Sequence, residues 1–258
     1  MILALHGFTG RGSDFLPLKD VVEGEWHCPD MPGHGPVPQI DCTPEATATY
    51  IQSQYLQVSQ STATPQKERL LIGYSMGARA ALIHALRYPR AWDALVLISL
   101  NPGIEDQKDR ENRVEKDEAL AQKIERGGVS AFLDYWKETP LIQSQQQLPA
   151  NWRNEMQRAR LAHTSTGLAT SLREFGQGSC PNLWPNLSKL KVPTLLLSGQ
   201  EDRKYSEIAA RTKSVFESEQ ADCLIQHVGI EGASHMPHLE QLDKSGAAIT
   251  LFLSGLDS

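Results

Sequence analysis

The chain has 258 residues, of which 40% are hydrophobic and 22% charged, and its formal net charge is −6. A chain of this length and composition can bury one sizeable core, so we expect a single domain spanning residues 1–258. The negative charge offers no general attraction to nucleic acid or to an anionic membrane, and no stretch reaches the roughly 18 apolar residues that cross a bilayer.

Short apolar segments alternate with amphipathic ones, as in a parallel sheet covered by helices on both faces. The predicted strands, in chain order, are residues 2–5, 25–28, 69–72, 94–99, 194–198 and 223–228. The helices expected around them cover residues 44–59, 76–88, 205–218 and 238–253. The pattern predicts an α/β fold with a doubly wound, mostly parallel sheet.

The alternation stops between the fourth and fifth predicted strands. This interval contains only helical segments, at residues 108–126, 130–137, 152–161 and 167–175. Such an insertion is typical of a helical cap over the carboxyl edge of the sheet, where open α/β proteins bind ligands. We therefore expect a core from residues 1–100 and 191–258, with a cap at about residues 101–190.

The spacing of the cysteines indicates whether the chain binds a metal, and its first residues indicate the cellular compartment. The cysteines at positions 28, 42, 180 and 223 show neither CxxC nor metal-ligand spacing, which predicts thiols and no bound metal. The first residues lack the basic start and long apolar segment of a secretory signal. We expect a cytoplasmic monomer or weak oligomer without a cofactor.

A GYSMG motif at residues 73–77 follows the third predicted strand directly and precedes a helical segment. Its two glycines allow a sharp turn that projects the hydroxyl of Ser75 above the sheet. This strand, turn and helix predict a nucleophile elbow, with Ser75 as the reacting group.

A serine hydroxyl reacts at neutral pH only beside an imidazole that a carboxylate holds in place. Asp202 follows the fifth predicted strand, and His235 ends the loop after the sixth. The order Ser75, Asp202, His235 is that of α/β-hydrolases and predicts a catalytic triad. Asp202 could instead cap the following helix. Glu201 remains an alternative to Asp202 as the acid, and His238 remains an alternative to His235 as the base.

Two backbone N–H groups are expected to stabilise negative charge on the reacting oxygen. One belongs to Met76, directly after the serine, and the other to the loop that follows the first strand. We choose Phe8 as the second donor, with packing in the core as its alternative role. His6 and His34 are expected to organise loops rather than to catalyse.

Several arginines occupy positions that suit an anionic ligand. Arg79 lies four residues after Ser75, near a helix N-terminus, where a cation opposes the helix dipole. Guanidinium groups bind carboxylates through paired hydrogen bonds. Further candidates in the cap are Arg110, Arg113, Arg158 and Arg160. The pattern predicts a small polycarboxylate ligand, and solvent-exposed salt bridges remain the alternative.

The motifs together resemble one branch of the α/β-hydrolase superfamily, the 2-succinyl-6-hydroxy-2,4-cyclohexadiene-1-carboxylate synthases. The resemblance extends over nearly the whole chain and is carried by residues 6–10, 73–79, 110–117, 132–140 and 167–184. Many hydrolases share the elbow and the triad. The arginine of the elbow and the cap motifs are the more specific part.

The resemblance implies a lyase that eliminates pyruvate from 2-succinyl-5-enolpyruvyl-6-hydroxy-3-cyclohexene-1-carboxylate, in menaquinone or phylloquinone biosynthesis. The triad would remove a proton without forming an acyl-enzyme. The substrate carries three carboxylates, and by resemblance Arg79, Arg113 and Arg160 bind them, while Tyr74 and Trp136 line the pocket.

Two positions differ from the family pattern. Ser234 stands where these proteins usually have glycine, and the spacing near Arg160 leaves Arg158 as an alternative match. A serine carboxylesterase or C–C bond hydrolase of the same fold is the main alternative function, followed by an interaction protein without activity.

Overall fold

Six parallel strands form one sheet in the part of the chain that the computed structural model describes, residues 1–36, 38, 41–61, 68–219 and 223–256. The strands are β1 (Ile2–Leu5), β2 (Trp26–His27), β3 (Leu70–Tyr74), β4 (Ala94–Ile98), β5 (Thr194–Gly199) and β6 (Ile225–Ile230). Their order across the sheet is β2-β1-β3-β4-β5-β6, and every neighbouring pair is parallel. The predicted α/β fold with a parallel sheet is confirmed.

Helices surround this sheet on both faces. They are α1 (Leu16–Lys19), α2 (Pro44–Ser61), α3 (Met76–Arg87), α4 (Gln107–Trp136), α5 (Pro140–Gln143), α6 (Ala150–Leu161), α7 (Ser165–Phe175), α8 (Arg203–Glu219), α9 (Pro237–Glu240) and α10 (Leu242–Ser254). Short 3-10 helices cover Gly12–Phe15, Ser144–Gln147 and Trp184–Lys189. No helix in the described ranges combines the length and the apolarity needed to span a bilayer.

The sheet is buried on both faces because successive side chains of a strand point to opposite sides. In β3, Leu71 belongs to the buried cluster that contains Leu82 of α3. Its neighbour Ile72 belongs to the cluster on the other face, with Phe252 of α10. Burial on both faces explains why the strands appear in the sequence as continuous apolar runs.

One predicted helix is wrong, and one predicted break between helices is confirmed. The segment predicted as one helix over residues 238–253 is two helices, α9 and α10, because Gln241 between them has φ −137° and ψ 67°. The segments predicted separately at residues 108–126 and 130–137 are the two helical parts of α4, and Gly128, with φ 78° and ψ 167°, breaks the helix between them as the prediction requires. The apolar positions continue past Gln241, so their periodicity does not reveal the break at that single residue.

The segment between β4 and β5, which we call the cap, contains α4 to α7. Helices α4 and α7 pack together through a small apolar cluster that includes Ile124, Phe132 and Leu168. Phe8, from the loop after β1, packs against this cluster. The cap therefore contacts a loop at the carboxyl edge of the sheet.

Candidate active site

Ser75 occupies a strained turn between β3 and α3, with φ 53° and ψ −107°. Its N–H donates to the carbonyl of Ile98 at 2.8 Å. A Cβ atom on Gly73 would lie 2.4 Å from the carbonyl oxygen of Gly77, and one on Gly77 would lie 2.0 Å from that of Leu5. Only glycine fits at both positions, so the motif folds into a tight elbow that presents the serine.

The structure brings the three predicted triad residues together. Nε2 of His235 lies 3.1 Å from Oγ of Ser75, and its Nδ1 lies 2.6 Å from Oδ2 of Asp202. Oδ1 of Asp202 accepts the N–H of Tyr205 at 3.2 Å, so the same carboxylate also caps α8. The alternative acid, Glu201, is exposed. With Nδ1–H donating to the carboxylate, Nε2 can accept the serine proton.

His238, the alternative base, packs between aromatic rings and makes no hydrogen bond to Ser75. Its ring stacks against Phe15 at 5.3 Å and tilts against Tyr74 at 4.7 Å, measured between ring centroids. Neither ring nitrogen has a hydrogen-bond partner among the described residues. Burial lowers the pKa of His238 to about 3, so it packs as a neutral ring and takes no part in the hydrogen-bonded chain.

The loop that carries His235 is fixed by a residue that the sequence analysis missed. The carboxylate of Glu240 accepts the N–H of Ser234 and, at 3.2 Å, that of Met236, which flank the histidine. Oγ of Ser99 donates to the carbonyl of His235 at 2.8 Å. In the sequence, nothing distinguishes Glu240 from a surface acid on a short helix.

The two predicted oxyanion donors, Phe8 and Met76, line the same cavity as Ser75. In the described ranges no backbone carbonyl accepts the N–H of either residue. The ring of Phe8 meets that of Trp136 edge to face at 5.6 Å. Phe8 thus offers an N–H group and forms part of an apolar wall.

A cavity of about 910 Å³ lies between the carboxyl edge of the sheet and the cap. Apart from Asp202, every residue assigned to the triad, the oxyanion site or substrate binding lines it: Phe8, Tyr74, Ser75, Met76, Arg79, Arg113, Trp136, Arg160 and His235. Asp202 lies behind His235 and contacts the cavity through that ring. Tyr205, which the sequence analysis did not single out, also lines the cavity, with its ring centroid 4.4 Å from that of His235.

Arg79, which is buried, and Arg160, which is half-buried, each bring an incompletely satisfied guanidinium to this cavity. Nη2 of Arg79, a residue only 7% exposed, donates to the carbonyl of Phe175 at 2.9 Å, and Nη2 of Arg160 donates to Gln145 at 2.8 Å. Nε of both has no partner within the described part of the chain. Buried donors without acceptors are costly, so an anionic ligand would relieve them.

Arg113 is held in a fixed orientation on α4. Its Nε donates to Asp117 at 2.9 Å and its Nη1 to Gln177 at 2.7 Å. Arg110, one turn earlier, donates to the carbonyl of Gly178 at 2.8 Å and is absent from the cavity lining. Of these two arginines, therefore, only Arg113 is presented to a ligand.

The cavity carries more basic than acidic side chains. Besides the three arginines, its lining contains Lys116, Lys123 and Lys204. The carboxyl groups that face it are Asp14, Asp109 and Asp117. Burial raises the pKa of Asp14 to about 6, which weakens its negative charge. Such a cavity favours a small polyanion. The described residues include no cluster of three or more side chains suited to a metal ion.

Comparisons with known proteins agree with this geometry. Residues 2–244 match the alpha/beta hydrolase family. The chain is 33% identical to a Bacillus subtilis protein provisionally named 2-succinyl-6-hydroxy-2,4-cyclohexadiene-1-carboxylate synthase, over 99% of this chain and 90% of that protein. It is 28% identical to the synthase of that name from Photorhabdus laumondii, over 97% and 84% of the two chains.

Among solved structures, MenH from S. aureus superposes with a TM-score of 0.87 at 28% identity, over 100% of this chain and 94% of that one. The agreement includes the cap as well as the sheet, since the whole chain is aligned. The motifs, the fold and the relatives lead to one conclusion: the chain is a member of the alpha/beta hydrolase family and, within it, of the 2-succinyl-6-hydroxy-2,4-cyclohexadiene-1-carboxylate synthases.

Proposed function

We propose that the chain eliminates pyruvate from 2-succinyl-5-enolpyruvyl-6-hydroxy-3-cyclohexene-1-carboxylate, giving 2-succinyl-6-hydroxy-2,4-cyclohexadiene-1-carboxylate in menaquinone or phylloquinone biosynthesis. The observation that supports this carbon–oxygen lyase activity is one basic cavity that holds both a hydrogen-bonded Ser75–His235 pair and three arginines. The names of the relatives agree with the product.

In this proposal, Ser75 removes a proton from the substrate while its own hydroxyl proton passes to Nε2 of His235. Asp202 stabilises the imidazolium that forms. The electrons of the broken C–H bond form the new ring double bond, and the C–O bond to the enolpyruvyl group breaks. The leaving group departs as an enolate and takes up a proton to become pyruvate, so no acyl-enzyme is required.

The other cavity residues bind and orient the substrate. Arg79, Arg113 and Arg160 bind its carboxylates, and each charge-assisted hydrogen bond contributes about 1.5–3 kcal/mol. The rings of Tyr74 and Trp136 form the walls that position the carbon skeleton. The N–H groups predicted for the oxyanion site, named above, stabilise the negative charge that develops during elimination.

The remaining expectations concern the molecule as a whole. We infer a cytoplasmic enzyme that acts on a small polycarboxylate, without cofactor, as a monomer or weak oligomer. We also treat the cap as part of one domain with the core. The acidic composition and the scattered cysteines support these inferences.

The test compares pyruvate release from the enolpyruvyl substrate with hydrolysis of p-nitrophenyl esters. We expect rapid pyruvate release and little ester hydrolysis, and Ser75→Ala should lower pyruvate release by roughly 10³-fold or more because triad members act as a unit. The exposed Ser13→Ala provides the matched control, with unchanged activity. Slow pyruvate release with efficient ester hydrolysis would instead identify an esterase, and inactivity towards both would favour an interaction protein.

A further inference from the structure

A histidine of the cap reaches the loop that follows β1. His163 lies between α6 and α7 and is 6% exposed. Its Nδ1 accepts the N–H of Gly35 at 2.9 Å, and its Nε2 lies 3.0 Å from the carbonyl oxygen of Thr9. Because Gly35 supplies a donor, Nδ1 must be unprotonated, and Nε2–H donates to Thr9. The ring therefore binds two core loops at once in one neutral tautomer.

A second histidine, His34, binds the other backbone group of Thr9, its N–H. The N–H of Thr9 donates to Nε2 of His34 at 3.3 Å, and Nδ1 of His34 donates to the carbonyl of Pro32 at 3.0 Å. The His34 and His163 rings meet edge to face at 5.2 Å. Thr9 is buried with φ 63°, an unfavourable conformation for a threonine. The two rings thus hold a strained residue through both of its backbone groups.

We propose that His163 is a positioning residue that acts from the cap: through the Thr9 carbonyl it fixes the backbone that presents the neighbouring Phe8 N–H to the reacting oxygen. This inference rests on the proposed oxyanion role of Phe8. The donor must keep its direction during the reaction, because displacements of about 1 Å can cost roughly 10²-fold in rate. A hydrogen bond from the cap makes the placement of the oxyanion loop depend on the placement of the cap.

The surroundings of His163 keep its ring neutral. Burial lowers its pKa to about 4, and burial also lowers that of His34. The charged groups that act on His163 are Arg11, Asp30 and Arg160. A protonated ring would turn Nδ1–H towards the N–H of Gly35 and break that contact. Neutrality is therefore a requirement of the hydrogen-bond geometry, which the burial supports.

Three substitutions separate the two contacts of the ring. His163→Gln keeps an N–H donor near the position of Nε2 and can still reach Thr9. His163→Asn keeps an acceptor near the position of Nδ1, for Gly35, but is too short for Thr9. His163→Phe keeps the shape and removes both contacts. Asn and Phe should lower kcat by about 10- to 100-fold with KM nearly unchanged, and Gln should recover most of the loss.

The activity-independent readout is hydrogen–deuterium exchange of the peptide that contains residues 7–10. Exchange should be faster in the Asn and Phe variants than in the wild type or the Gln variant, with urea denaturation showing that all four are fully folded at the assay temperature. Equal exchange in all four, or equal kcat for the Asn, Phe and wild-type proteins, would overturn the inference. Wild-type protein that releases no pyruvate would contradict the proposed function alone, because the exchange comparison still decides the role of His163.

Discussion

Arg158 and Arg160 lie two positions apart on α6, yet they are in opposite environments. The side chain of Arg158 is 77% exposed and lies 3.9 Å from Glu155, whereas Arg160 lines the cavity and donates to Gln145. Each residue of an α-helix turns by about 100°, so positions two apart face nearly opposite sides. Met156, which is buried, lies one turn before Arg160 and marks the inward face.

The two arginines therefore provide a matched pair of substitutions. Arg160→Ala should lower kcat/KM for the enolpyruvyl substrate by about 10- to 100-fold, since one or more charge-assisted hydrogen bonds to a carboxylate are lost. Arg158→Ala should leave kcat/KM unchanged, because an exposed ion pair contributes little. Steady-state kinetics of both variants decide the question, and equal effects would remove Arg160 from the proposed binding site.

The spacing in the sequence could not choose between these arginines because the choice depends on how α6 is oriented against the cavity. The same limit applies to Glu240 and His163. Glu240 meets backbone groups only four and six positions earlier, but this depends on how the chain turns between them, and the Thr9 contact of His163 spans 154 positions. By contrast, Ser75 was predictable, since its elbow is defined by neighbouring glycines and an adjacent strand.

At the scale of elements, α4 contains a break that separates two helical segments without a loop. Gly128 has φ 78° and ψ 167°, and a Cβ atom placed there would meet nothing within 4 Å. Only the backbone conformation, and not the available space, therefore requires glycine. The neighbouring Gly127 stays helical, and its Cβ would make an ordinary contact, 3.6 Å from that of Ala131.

Alanine substitutions at these two glycines should have opposite effects on stability. Gly128→Ala should reduce the free energy of unfolding by roughly 1–3 kcal/mol, because alanine is strained at this φ and ψ. Gly127→Ala should leave it unchanged or raise it by up to about 1 kcal/mol, because alanine restricts the unfolded chain. Urea denaturation measures both. A Gly128→Ala variant as stable as Gly127→Ala would contradict the claim that the backbone conformation at position 128 requires glycine.

The strands were predictable as elements because burial on both faces requires continuous apolar runs, as in residues 194–198. The residues at which strands and helices end were less predictable from the sequence. Pro237 begins α9, as expected for proline in a first helical turn, but the apolar positions that follow continue past the break at Gln241. Short elements such as α1 and α5 have too few residues for a periodic pattern to appear.

Across the whole molecule, an unusual share of the histidines is buried and neutral. Burial lowers the pKa of each of them below its ordinary value, to about 4 or lower where a value is resolved: His6, His34, His84, His163 and His238. Their placement connects the loop after β1, the cap and the core helices. In an unfolded chain the same side chains titrate near pH 6.5.

These histidines predict that the protein loses stability on mild acidification. Between about pH 6.5 and pH 4, the unfolded chain binds protons that the folded chain excludes, so the free energy of unfolding falls as pH falls, with each histidine contributing up to about 1.4 kcal/mol per pH unit. Asp14 opposes this trend, since its raised pKa of about 6 lets the folded state take up a proton first, but it is one group against several.

Urea denaturation midpoints measured between about pH 6.5 and pH 4 test the sign of this dependence. His163→Gln should make the dependence shallower, and a midpoint that is flat or rises towards pH 4.5 would contradict the assignment of neutral buried rings.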